Sequence, residues 1–194
     1  MTITRRRALG ALAAIAASAA TAALPGPPAR AAEAAVINAR VNLALGRLWS
    51  EVPSARDLAS RAKGMLVMPD VIKAGFIIGG AYGEGALRLN DPVEGYEKHG
   101  GYYSVGAASV GLQIGVQSTS YVLFFMTDAA LARFRRADGW EIGVDAEVTF
   151  PEAGLNAGLD TTSFEKPVIG VVFAADGLLV GASLAGAKYS PIQR

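Results

Sequence analysis

The chain has 194 residues, 52% hydrophobic and 18% charged, which is enough for one well-buried core and crowded for two full domains. It contains no cysteine, which excludes disulfides, thiol catalysis and a lipidated N-terminal cysteine. The formal charge of +1 comes from the amino-terminal segment: beyond residue 31, fourteen basic side chains face seventeen acidic ones, a net charge near −3. Nucleic acid is therefore not an expected partner, and any anionic surface must be met by a local patch.

Residues 1–31 read as a cleavable export signal. Arg5-Arg6-Arg7 precedes an uncharged, alanine-dominated stretch from Ala8 to Leu24, followed by Pro25-Gly26-Pro27-Pro28 and Ala29-Arg30-Ala31. The paired arginines resemble a twin-arginine signal, with Ala8 where a large apolar residue usually stands. The apolar run is too short and too weakly hydrophobic to span a bilayer comfortably. The expectation is cleavage after Ala31 and a single domain over residues 32–194, in the periplasm or secreted, soluble or peripheral on a membrane.

Ile37, Val41, Ala44, Leu45 and Leu48 recur at helical spacing, predicting an amphipathic helix over 34–49 whose apolar stripe faces the protein's own sheet or a membrane. Ser54, three residues before Asp57, predicts the cap of a second helix over 55–63 that Gly64 ends. Arg56, Arg61, Lys63 and Lys73 form the densest positive segment of the first half beyond residue 31. After Gly64 the period becomes two, most clearly at Val110, Leu112, Ile114 and Val116, which alternate with Gly111, Gln113, Gly115 and Gln117. Repeated glycines in a strand imply close approach by a backbone, an aromatic ring or a ligand, or a strongly bent sheet.

A polar hairpin loop is expected between Leu89 and Tyr102, bracketed by Asn90-Asp91-Pro92 and His99-Gly100-Gly101. Thr127 or Asp128 then caps a helix running to about residue 137, with Arg133, Arg135 and Arg136 in its last turns, where cations favour the helix dipole. Strands are expected over 140–148, 168–174 and 178–187, the last two joined by an Asp176-Gly177 turn. Without helix–strand alternation the fold class is α+β: a strongly bent antiparallel sheet or partial barrel with two to three helices packed against it.

Little of this supports catalysis. His99, the single histidine, stands in a glycine-flanked charged turn, and the serines that loosely resemble nucleophile elbows, Ser109 and Ser183, lie inside β segments. Asp145 and Glu147 would at most share a strand face, which is thin support for a metal site. Gly79-Gly80-Ala81-Tyr82-Gly83-Glu84-Gly85 lacks the residues of a phosphate-binding loop and reads as a bent or bulged strand. Glu84 within it, if buried, needs a partner or a raised pKa, either of which would mark a site.

Over Leu58 to Tyr189 the chain resembles the SYLF lipid-binding family. The resemblance rests on Val71-Ile72-Lys73-Ala74-Gly75-Phe76, Tyr82-Gly83-Glu84-Gly85, Gly101-Tyr102-Tyr103-Ser104, Gly111-Leu112-Gln113-Ile114-Gly115-Val116-Gln117, Phe125-Met126-Thr127-Asp128, Gly139-Trp140-Glu141-Ile142-Gly143 and Lys166-Pro167-Val168-Ile169-Gly170. It implies a non-enzymatic domain that needs no cofactor and binds phospholipid. Eukaryotic members act at phosphoinositide membranes and fungal ones at actin patches, while bacterial members are typically exported. The eukaryotic members pair an N-terminal amphipathic helix with a basic patch. Here only Arg40 and Arg47 stand on the first helix, so head-group contact falls to Arg56, Arg61, Lys63 and Lys73, each contributing about 1 kcal/mol at an anionic surface. The alternative is a structural or interaction module of the cell envelope that docks a partner protein or a second copy. A hydrolase, which would need His99, is the third reading.

Overall fold

The computed structural model describes residues 29–91, 95–96, 98–150, 165–173, 184 and 186–194. Helix α1 (Ala29–Glu51) leads into α2 (Ala55–Arg61), then into two long strands, β1 (Gly64–Leu89) and β2 (His99–Phe125). Helix α3 (Asp128–Arg136) and the short strands β3 (Trp140–Glu141), β4 (Val168–Phe173) and β5 (Lys188–Ile192) complete the order. All strand pairs are antiparallel: β1 lies on β2, β2 also takes β4 and β5, and β3 lies on β5. The expected α+β architecture with a strongly curled antiparallel sheet is what forms.

A straight strand of 26 residues would run for about 88 Å. Instead the ends of β1 meet. The Asn90 N–H donates to the Lys63 carbonyl at 3.0 Å, and the Asn90 amide donates to the Ala62 carbonyl at 2.9 Å. The curl is introduced by irregularities between Met68 and Val71, Gly75 and Ile77, and Leu87 and Arg88. At the first, Pro69 removes a ladder donor, Asp70 takes φ 46°, and its N–H donates to the Ser120 hydroxyl at 3.1 Å. Gly85 sits where the two arms of β1 press together: a Cβ there would stand on the Val67 carbonyl oxygen and 2.6 Å from Met68 Sδ. Gly85 thus serves close backbone approach, one of the uses expected of a strand glycine.

Both faces of the curled sheet are covered, which explains the unbroken apolar runs at 65–68 and 121–125. On one face α1 lays Ile37, Val41, Ala44 and Leu48 against Met65, Val67, Val122, Phe124 and Ile169, with Leu58 of α2 beside them. The predicted stripe of the first helix is therefore spent on the protein's own sheet, and full burial of a residue such as Leu48 is worth about 1.5–3 kcal/mol. On the other face Leu66, Tyr121, Leu123 and Phe125 meet Phe134 of α3, Trp140 and Tyr189. Phe134 and Trp140 stack edge-to-face at 5.4 Å, and the buried Tyr189 hydroxyl donates to that of Tyr121 at 3.0 Å.

Three local expectations need correction. Ser54 adopts helical angles and makes no side-chain cap, so α2 starts without the predicted hydroxyl and ends at Arg61, with Ala62 already extended. The hairpin loop is shorter than expected because β2 resumes at His99. The strand over 140–148 stops after Glu141: Gly143 has φ 90°, and Asp145 turns back to accept the Glu141 N–H at 2.8 Å. Asp145 is thereby committed to a turn. Most of the strand expected over 178–187, and its Asp176-Gly177 turn, lie outside the described residues.

Candidate membrane-facing basic surface

The four cations singled out by sequence fall on α2, on its exit and within β1. Arg56 and Arg61 are exposed on α2, and Lys63 follows as an exposed residue just before β1. Lys73 lies ten residues farther, about 33 Å along the strand path and beyond the first bulge, opposite Gln117. It is half-buried, and that burial pushes its ammonium pKa down. Arg56, Arg61 and Lys63 are close in the chain because α2 is short and stops at once, while Lys73 stands within β1, beyond the first bulge.

Each of the neighbours has local company. The Arg56 guanidinium sits 5.3 Å from the centre of the Trp49 ring, an attraction worth about 0.5–1 kcal/mol at an exposed site. Lys63 lies 3.8 Å from Asp128 at the start of α3, an exposed and weak ion pair. That contact, with Leu131 packed over Gly64, brings the end of α2 against the beginning of α3.

Along α1, Val36, Arg40, Leu43 and Arg47 are exposed, Leu43 to 71%. Their spacing of four, three and four residues makes them one stripe, about 100° around the helix from the one packed on the sheet. No helix among the described residues is long and apolar enough to cross a membrane.

The remaining candidates resolve into structural roles. Glu84 is half-buried and paired: Tyr82 donates to it at 2.7 Å and Arg194 bridges it to Glu33 on α1. Burial pushes its carboxyl pKa up, but the hydrogen bonds from Tyr82 and Arg194 outweigh this and hold it below the usual range. It shows no poised acid. His99 is exposed at the first position of β2, where its Nδ1 accepts the Gly101 N–H at 3.0 Å and its ring stacks 4.3 Å from Tyr102. Ser109 is ten residues farther along β2, and Ser183 lies outside the described residues.

Comparison with known proteins bears on the C-terminal half. Residues 106–193 match the family Ysc84, described as "Las17-binding protein actin regulator". A stretch of 100 residues, half of this chain, is 32% identical to an SH3 domain-containing protein of Schizosaccharomyces pombe, and covers 22% of that protein's length. The family description is one of binding rather than catalysis. The motifs from Val71 to Gly85 precede the matched residues, whereas those from Gly111 onward fall within them. From the later part of β2 through β5, this chain is thus similar to the Ysc84, or SYLF, family.

Proposed function

We propose that this is an exported, non-enzymatic phospholipid-binding protein of the cell envelope that attaches peripherally to anionic membrane surfaces. One observation carries the reading: Arg56, Arg61 and Lys63 are all exposed on α2 and its exit, in a domain whose net charge is negative. At about 1 kcal/mol each, three such cations support weak, salt-sensitive attachment. The outward Leu43 and Val36, flanked by Arg40 and Arg47, supply an apolar contact for the interface. Lys73 contributes through a separate contact. The amino-terminal pattern supports export with cleavage after Ala31, which would leave residues 32–51 of α1 in place.

Sedimentation with vesicles of graded anionic content tests this. The protein is expected to bind in proportion to anionic lipid at low salt, and Arg61→Glu with Lys63→Glu to lower affinity by at least about tenfold. Absence of binding at low salt would remove the reading, and indifference to the double substitution would remove the patch.

A second reading is favoured by the similar family and protein, whose descriptions name binding to Las17, regulation of actin and an SH3 domain. On that reading the domain is a protein-interaction module, and it would show saturable association with a partner protein or itself without any response to vesicles.

A further inference from the structure

We infer that the outward face of α3 is a second phosphate-docking surface, contributing Arg133, Arg135 and Arg136, with Lys188 at its edge, to the contact with anionic phospholipid head groups. The inference rests on the membrane reading above and extends it to an element which that reading does not use.

The sequence alone offers a plain account of these arginines, since cations near a helix C-terminus complement the dipole. The structure shows more than that account needs. Phe134 is the buried residue of the helix, and the three arginines are all exposed, fanned over the opposite side. None of them makes an ion pair with a carboxylate among the described residues, whereas Lys63 pairs with Asp128 and Arg56 packs on Trp49. The aliphatic stem of Lys188 lies across Gly139, just past the helix end, where its own side is exposed. Asp138 adjoins this end of the helix and Glu141 stands opposite Lys188 across the β3–β5 pair, so the positive excess of the face lies with the three arginines.

The geometry also makes the face continuous with the first patch. Asp128 and Leu131, in the first turn of α3, touch Lys63 and the backbone at Gly64, and nine helical residues carry the surface only about 13 Å farther. Arginine suits phosphate in particular, because its planar fork gives paired hydrogen bonds while remaining charged. A flat array of lipid phosphates can engage separate arginines at once.

The test compares the full chain with Arg133→Gln/Arg135→Gln/Arg136→Gln, and with Arg136→Gln alone, in sedimentation with phosphatidylcholine vesicles containing graded phosphatidylglycerol. Thermal melts confirm folding. The triple variant is expected to lose at least about tenfold in affinity and the single variant about fivefold or less. If the triple variant binds as the unaltered chain does while Arg61→Gln/Lys63→Gln weakens binding, the α3 inference is overturned and the membrane reading stands. If the unaltered chain ignores the vesicles, both fall. Polyglutamate is the control: binding that the triple variant loses for polyglutamate but retains for vesicles overturns the inference in favour of an acidic protein partner.

Discussion

Gly85 shows how one residue can carry the curvature of the molecule. With β1 folded back on itself, the missing side chain is the space in which the Val67 carbonyl and the Met68 sulfur sit. Gly83 makes a similar approach to Val71, with its Cγ2 2.7 Å from where a Cβ would be. Gly106, by contrast, has nothing within 4 Å of that position. Gly85→Ala is therefore expected to destabilise by about 1–3 kcal/mol, since the Val67 backbone and the Met68 side chain must both shift, whereas Gly106→Ala should stay within about 0.5 kcal/mol. Urea unfolding of the two variants measures this, and equal midpoints would show that the contact at Gly85 is not what requires glycine. Glu84, next to these glycines, illustrates the converse: a carboxylate that looked like a candidate site is satisfied by Tyr82 and Arg194.

At the scale of elements, the helices separate what short-range chemistry decides from what packing decides. Thr127 has extended angles and its hydroxyl accepts the Ala130 N–H at 3.2 Å, so Thr127→Ala should cost about 1 kcal/mol. Ser54 carries the same kind of sequence signal yet makes no such bond, and Ser54→Ala should leave the urea midpoint unchanged. A comparable loss in both variants would contradict the geometry at Ser54. The stripe of Ile37, Val41, Ala44 and Leu48 was legible because helix periodicity is local, and so was the neighbourhood of Arg56, Arg61 and Lys63, which are close in the chain. The early end of the strand at Glu141 was not, because it depends on Gly143 and on the Asp145 side chain competing for the Glu141 N–H. Nor was the contact of Lys63 and Gly64 with the start of α3. A bent sheet was legible in the glycines, but the places where pairing slips, which decide what the curl brings together, were not.

For the whole molecule, three tyrosines join parts that are far apart in sequence and make its stability depend on pH. Tyr189 on β5 donates to Tyr121 on β2 in the buried core, and Tyr96 donates to the Ala59 and Ala62 carbonyls at 2.6 and 3.0 Å, fastening the hairpin end to α2. Burial raises the pKa of all three, Tyr96 to about 12 and the other two further. Below the ordinary phenol pKa of 10.0, folded and unfolded chains are equally protonated and the contribution is complete. Above it the unfolded chain releases its protons first, so stability falls as pH rises. The slope is about 1.4 kcal/mol per pH unit for each fully buried phenol, with a smaller share from the partly solvated Tyr96. The urea midpoint should hold steady through neutral pH and fall steeply between about pH 10 and about pH 12. Tyr121→Phe with Tyr189→Phe removes both partners of the buried bond, so it should flatten most of that decline while costing little at neutral pH. Tyr121→Phe alone leaves the Tyr189 hydroxyl without its acceptor and should cost about 1–3 kcal/mol at neutral pH. A midpoint that stays level in alkali for the unaltered chain would show that the hydroxyls at the centre of the sheet are not shielded from solvent.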